Sequence, residues 1–255
     1  MEANMNPFRK PKIILLITIS LLLLGAALIA IKAPGVARCY LVKWSTLDNI
    51  APKVYVDPDM PESRRQTLLS TLADAKQRVA ALYGEYSAGA VIIAGHTMDV
   101  MQTYGDNSYN RAGRTYLTAA ASFIILGPNG ARNLDILAHE LGHAEFSTRI
   151  GHRNRSAVPN WFDEGMAVQF DDRYTEAEWQ SRTDGGRTAP DPDQMGIITH
   201  DDWIGYATAG HEVRRWLNIV GQEGLFTLLA AIRNGDEFQA AYRSIERAYT
   251  ATPSE

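Results

Sequence analysis

The sequence predicts an α+β fold: a small N-terminal sheet with helices, then a helical C-terminal half, all behind an N-terminal membrane-spanning helix. Three observations predict it. Short apolar runs bounded by turn residues, typical of strands, fall before residue 127. Apolar residues at helical spacing dominate after residue 133. An uncharged, apolar stretch of nineteen residues covers positions 13–31.

The apolar stretch at residues 13–31, IILLITISLLLLGAALIAI, is long enough to cross a bilayer as a helix. Basic residues flank both of its ends, so charge gives little bias in orientation, but a long C-terminal domain is translocated largely regardless of charge. We therefore predict a single-pass membrane protein with an extracytoplasmic domain. The alternative is a cleaved signal peptide with its small-residue site at Gly35 and Ala37, which would leave the domain secreted.

The composition excludes several classes of protein. A chain of 255 residues suffices for one medium domain plus an appendage. A net charge of −4 argues against a nucleic-acid binder, which would show a basic surplus. The single cysteine, Cys39, excludes an internal disulfide framework and a multi-cysteine metal site.

The region before residue 127 alternates between strand and helix patterns. Leucines, alanines and Val79 recur at helical spacing up to Gly84, which is expected to end that helix. The predicted elements are, in order, strand 53–57, helix 62–83, strand 90–94, loop 99–113 and strand 116–126, strongest at 122–126. The last strand is expected to run beside a substrate cleft.

The stretch from Asn133 to Arg149, NLDILAHELGHAEFSTR, carries an HExxH motif inside an amphipathic helix pattern. His139 and His143 are four residues apart and therefore share one helix face, where both imidazoles can bind one cation, with zinc the default occupant. Glu140 lies beside that cation rather than at it, which suits a general base. The alternative is a surface helix with two solvated histidines.

A catalytic zinc usually takes three protein ligands, so a third is needed. Metzincins place a histidine six residues after the second one, but Arg149 stands there and that pattern fails. The stretch from Pro159 to Ala167, PNWFDEGMA, looks like the start of a second helix with Glu164 in its first turns. The neighbouring Gly165 would let two helices approach closely.

HELGH followed after a loop by WFDEGMA resembles the gluzincin metallopeptidases, the HExxH-plus-glutamate clan of thermolysin-like enzymes and aminopeptidases. The resemblance implies a zincin-like metallopeptidase domain, with His139, His143 and Glu164 as ligands of one Zn²⁺ and Glu140 as general base. Two departures stand out. First, aminopeptidases have an acidic residue before HExxH that holds the free amino terminus of the substrate, and the stretch before HELGH has none. Second, Val168 stands where thermolysin-like enzymes have the aspartate that supports a ligand histidine.

The region after Glu164 reads as a polar segment followed by helices. Residues 179–194 are predicted to form a surface loop near the cleft, and helices are expected at 203–219, 225–233 and 237–249. Amide hydrolysis needs a donor for the oxyanion, for which Tyr206 is the first candidate and His211 the second. The alternative for Tyr206 is a helix-interface aromatic.

These expectations add up to a membrane-anchored, zinc-dependent metallopeptidase that acts on peptide or protein substrates. The alternative is a catalytically inactive zincin-like domain serving as an extracytoplasmic binding module, although Glu140, which a decayed site usually loses first, is present. The predicted organisation is a tail at 1–12, a transmembrane helix or signal anchor at 13–31, a linker at 32–52, the catalytic domain at 53–249 and a tail at 250–255.

Overall fold

The computed structural model shows a mixed α+β fold that is mostly helical and contains a five-stranded sheet. The residues it describes are 14–15, 17–20, 25, 31–105, 112–183, 191, 195–199 and 202–251. The strands are β1 (Asp48–Ala51), β2 (Val54–Val56), β3 (Val91–Ala94), β4 (Gly113–Leu117) and β5 (Ser122–Leu126). The helices are α1 (Pro34–Tyr40), α2 (Glu62–Tyr83), α3 (Asp99–Tyr104), α4 (Leu134–Ile150), α5 (Asn160–Val168), α6 (Glu176–Arg182), α7 (Trp203–Asn234) and α8 (Phe238–Ala251).

The sheet has the strand order β1-β2-β3-β5-β4. Its three inner strands β2, β3 and β5 run parallel, whereas β1 and β4 are antiparallel to their neighbours. The inner strands are almost wholly apolar because strands of a parallel sheet are covered on both faces. In this sheet β4 is an edge strand, and one side of its backbone is not paired with another strand.

Helices cover both faces of the sheet. Side chains alternate along a strand, so Ile92 and Ile124 face the main core with α2 and α4, while Ile93 and Ile125 face a smaller cluster on the other side. The smaller cluster is closed by α1 and α3. The main core extends into the C-terminal half, where α5, α7 and α8 contribute a group of aromatic rings in edge-to-face and stacked contact: Trp161, Phe162, Trp216, Phe238 and Tyr242.

Several predicted elements are confirmed at or near their expected bounds. The helix 62–83 is α2, and it ends at Gly84, whose φ of 80° is a conformation that glycine adopts without strain. The helices expected at 203–219 and 225–233 are the two parts of α7, and the break falls at Gly221 with φ of 62°. The HExxH helix is α4, capped by the side chain of Asn133, which accepts a hydrogen bond from the Ile136 amide at 3.0 Å.

The segment 32–52, predicted to be a linker, instead belongs to the folded unit. It contains α1, a short 3-10 helix and β1. In α1 the buried Cys39 packs under the sheet, and Gly35 lies so close to the Tyr104 carbonyl oxygen that a Cβ would stand 2.6 Å from it. These elements are too short for their periodicity to be recognised, since α1 has seven residues and β1 has four.

Three loop and strand expectations also differ from the structure. The predicted loop 99–113 begins with α3, and residues 106–111 of it lie outside the described residues. The predicted strand 116–126 is two antiparallel strands, because the chain reverses between Leu117 and Ser122. The predicted loop 179–194 begins inside α6, and residues 184–190 and 192–194 lie outside the described part.

Among the described residues, no helix combines the length and the apolar character needed to cross a membrane. The predicted span at 13–31 lies mostly outside the described residues, which include only 14–15, 17–20, 25 and 31 of it. The membrane-spanning helix therefore stays a prediction.

Candidate metal centre

Helix α4 is mostly buried, and one of its faces carries the polar side chains of the motif. Leu137, Ala138 and Leu141 are fully buried in the main core. On the opposite face, His139 and His143 lie one turn apart and are each only 7% exposed. The buried apolar face fixes the helix against the sheet, so the direction of the two imidazoles is set by core packing.

Two glycines bring the second ligand helix into place. At Gly142 in α4, a Cβ would stand 2.7 Å from the ring of Phe170, just beyond the end of α5. At Gly165 in α5, a Cβ would stand 2.6 Å from the Ala209 carbonyl oxygen of α7. The close approach predicted at Gly165 is therefore confirmed, and it seats α5 between α4 and α7 with Glu164 directed at the two histidines.

The side chains of His139, His143 and Glu164 converge in a group that could hold a metal ion. The two Nε2 atoms are 3.2 Å apart. The Oε2 atom of Glu164 lies 3.5 Å from Nε2 of His139 and 3.3 Å from Nε2 of His143. The three atoms thus form a nearly equilateral triangle. Glu164 is the residue that was predicted from the sequence as the third ligand.

The triangle has the size that a tetrahedral cation requires. Zinc bonds of about 2.0–2.1 Å place two tetrahedral ligand atoms about 3.3–3.4 Å apart, which matches the observed edges. Within the described chain, the buried Oε2 of Glu164 accepts no hydrogen bond. A buried carboxylate oxygen without a partner is costly, and a cation at the centre of the triangle would satisfy it.

The electrostatics of the group also call for a positive charge. Burial lowers the pKa of His143, but Asp163 and Glu164 outweigh burial and hold that pKa well above its usual value. Burial raises the pKa of Glu164, but His143 and His139 outweigh it and hold that pKa well below its usual value. A cation at the centre of the triangle would take the place of protons on the imidazoles, because a histidine binds a metal in its neutral form.

Each histidine is backed by an aspartate, and each aspartate by an arginine. Nδ1 of His143 is 3.0 Å from Asp163, which pairs with Arg155 at 2.5 Å. Nδ1 of His139 is 3.4 Å from Asp171, which Arg173 binds with two nitrogens at 2.5 and 2.8 Å. Carboxylates in this position fix the tautomer and orientation of ligand histidines.

Neither aspartate was predicted from the sequence. An acid that supports a ligand histidine was expected at position 168, where the structure has the buried Val168 packed against Gly210 of α7. The signal lay elsewhere in the same stretch, since Asp163 directly precedes Glu164 and Asp171 follows α5. Asp171 is ionised despite its burial: burial raises its pKa, but His139 and Arg173 outweigh burial and bring that pKa to about 2.

Replacing Asp163 by asparagine is expected to weaken zinc binding by about 10- to 100-fold, because His143 loses the carboxylate that orients it. Competition against a fluorescent zinc chelator measures the change. Asp74→Asn, at an exposed position on α2, removes the same charge far from the ligand helices and is expected to leave the affinity unchanged. Equal affinities for Asp163→Asn and Asp74→Asn would contradict the orienting role.

Glu140 lines the cleft beside the metal group, the cluster of His139, His143 and Glu164. Its Oε2 accepts a hydrogen bond of 2.5 Å from the Thr115 hydroxyl of β4. Gly113 of the same strand lies so close that a Cβ would stand 2.8 Å from Oε1 of Glu140. The edge strand therefore holds the Glu140 carboxylate in place through the Thr115 hydroxyl and the close approach of Gly113.

A cleft of about 360 Å³ opens over the metal group. Strand β4 forms one wall of the cleft. The sequence predicted that the last strand before α4 would flank the cleft, but that strand, β5, is a buried inner strand of the sheet. The hairpin between β4 and β5 places β4 at the edge instead. Tyr206 lines the cleft with its ring centre 5.9 Å from that of His139, and it stacks on Tyr174 at 5.4 Å. His211 is not part of the cleft lining; it stacks on Trp179 at 3.7 Å.

Neither a scan against protein-family models nor a search of curated proteins finds a match for this chain. The function is therefore inferred from the chemistry of the site.

Proposed function

We propose that this chain is a zinc-dependent metallopeptidase of the gluzincin type, which hydrolyses peptide bonds. One observation carries the proposal. The donor atoms of His139, His143 and Glu164 form a triangle with edges of 3.2 to 3.5 Å, and the Glu140 carboxylate, held by the Thr115 hydroxyl, lines the same cleft.

The donor set favours zinc in a catalytic role. Two imidazoles and one carboxylate are the ligands of thermolysin-type zinc sites, whereas structural zinc sites are closed by four protein ligands and are rich in cysteine. Magnesium and calcium prefer sets made up of oxygen atoms. Three residues of this chain would hold the ion, and a position beside the cleft would then be accessible to a substrate carbonyl or water.

A zinc ion held there would supply a Lewis acid that polarises a carbonyl and makes water more acidic. The chain's own residues do the rest. The Glu140 carboxylate takes a proton from water in the cleft and passes it to the leaving amine nitrogen. The Thr115 hydroxyl, hydrogen bonded to Oε2 of Glu140, keeps that carboxylate turned toward the cleft.

The edge strand supports a peptide as the substrate. Strand β4 lines the cleft through Gly113, Arg114, Thr115 and Leu117, and among the described residues it is the last strand of the sheet. An extended peptide can add to such an edge through main-chain hydrogen bonds that do not depend on its side chains. A peptide lying along Gly113 to Leu117 would pass its backbone between Glu140 and the metal group.

Tyr206 is the proposed donor to the oxyanion. It enters the cleft from the first turn of α7, whose start is fixed by Asp202 through a hydrogen bond to the Gly205 amide at 2.8 Å. Stacking on Tyr174 limits the movement of its ring. A tyrosine hydroxyl in the lining of the cleft can donate to charge that develops on the carbonyl oxygen.

Incubation of the zinc-loaded full chain with a mixed peptide library, read by mass spectrometry, tests the proposal. We expect cleavage that a chelator stops and added zinc restores. A chain that binds one zinc per molecule but cleaves no peptide in the library would contradict the proposal, and would favour the inactive binding module.

A further inference from the structure

Three arginine side chains line the cleft, and each comes from a different segment of the chain. Arg114 comes from β4, Arg155 from the short 3-10 helix between α4 and α5, and Arg173 from the segment after α5. The carboxylates at the site are Glu140, Glu164 and the two aspartates behind the histidines.

The carboxylates at the site are already committed to partners within the chain. Glu164 faces the two imidazoles, Glu140 accepts the Thr115 hydroxyl, and Asp163 and Asp171 each lie between a histidine and an arginine. A substrate therefore meets carboxylates that already face groups of the chain, and the guanidinium groups of Arg155 and Arg173, whose N–H donors are only partly used. Such a lining attracts negative charge from a ligand.

Arg155 has more unused donors than Arg173. Within the part of the chain that the structure describes, the guanidinium of Arg155 has Asp163 as its one partner, through a single nitrogen. Arg173, in contrast, already gives Nε and Nη2 to Asp171. The Arg155 side chain is 41% exposed and lines the cleft, so its remaining N–H groups can reach a ligand there.

We infer that Arg155 selects peptides that carry a carboxylate close to the cleaved bond. The inference rests on the proposed function and names its substrate class. The Asp163 carboxylate lies between the Arg155 guanidinium and His143. An extended peptide rises about 3.3 Å per residue, so the guanidinium would meet a group one or two residues from the cleaved bond. A guanidinium fork matches the geometry of a carboxylate better than that of any neutral side chain.

The carboxylate can come from an acidic side chain or from the C-terminus of the peptide. Three peptide hydroxamates of otherwise identical sequence distinguish these sources: glutamate with an amidated end, glutamine with an amidated end, and glutamine with a free end. Titration calorimetry with the zinc-loaded full chain measures binding directly, without any turnover. At least one of the two carboxylate-bearing probes is expected to bind about 10-fold or more tightly than the neutral probe.

Arg155→Gln is expected to abolish this preference, and Arg155→Lys to restore part of it. Arg153→Gln is the matched control, because it removes the same charge from an exposed position of the same 3-10 helix. A merely structural role of Arg155, acting through Asp163, would weaken all three probes equally. That outcome would overturn the inference, and so would equal binding of all three probes by the unmodified chain or no binding of any.

The same samples, assayed on the corresponding unmodified peptides, separate the two proposals. Cleavage of the peptides with no difference between probes would overturn the carboxylate preference and leave the peptidase standing. A carboxylate preference in binding with no cleavage would overturn the peptidase and leave a site that recognises acidic peptides.

Discussion

Replacing Glu140 by glutamine is expected to lower peptide hydrolysis by about 10²- to 10⁴-fold, the usual contribution of a general base. The amide cannot accept the proton from water, but it has nearly the same shape and can still accept the Thr115 hydrogen bond. Zinc content is expected to stay at one ion per chain, because Glu140 is not among the three converging ligands. Activity and metal analysis on the same preparation measure the two effects.

Glu85→Gln is a matched control, since it makes the same change at an exposed position outside the cleft. It is expected to retain full activity. Hydrolysis by Glu140→Gln at the rate of the Glu85→Gln control would remove the assigned base. Loss of zinc from Glu140→Gln would instead place Glu140 among the ligands and contradict the geometry of the site.

Replacing Glu164 by glutamine is expected to weaken zinc binding by more than about 100-fold, beyond the range typical of residues that only support a ligand. The change removes the negative charge that lies 3.3 and 3.5 Å from the two Nε2 atoms and leaves a neutral oxygen in its place. Competition with a chelating dye gives the affinity, and thermal unfolding with and without zinc checks that the fold is intact.

The order of effects makes this prediction specific. The loss for Glu164→Gln is expected to exceed that for Asp163→Asn, although the two residues are adjacent in α5 and both are mostly buried. Affinity that is unchanged in Glu164→Gln, or reduced less than in Asp163→Asn, would mean that Glu164 is not a ligand.

The sequence predicts those parts of the site that a local pattern encodes. His139 and His143 share a face because of helical geometry alone, and the apolar residues around them specify the helix without reference to the rest of the chain. The helix that carries Glu164 is predicted from Pro159 at its start, and the ligand role of Glu164 is implied by the resemblance of WFDEGMA to the gluzincins. The bounds of α2 were equally local, since Gly84 ends a regular apolar repeat.

The parts that the sequence did not predict depend on contacts between distant segments. Asp171 supports His139 only because Phe170 packs against Gly142 and carries the chain back over α4. The position of β4 at the sheet edge depends on a hairpin whose turn lies in the TAAA stretch after Leu117, which lacks the glycine and asparagine of common hairpin turns. The membership of α1 in the folded unit depends on its packing beneath β3 and β5.

The measurement that tests the metal centre most directly is anomalous diffraction at the zinc absorption edge from crystals of the zinc-loaded chain. We expect one peak, within about 2.0–2.2 Å of Nε2 of His139, Nε2 of His143 and a carboxylate oxygen of Glu164. A peak bound to other residues, or no peak within reach of the Glu164 carboxylate, would contradict the proposed metal centre and the peptidase with it.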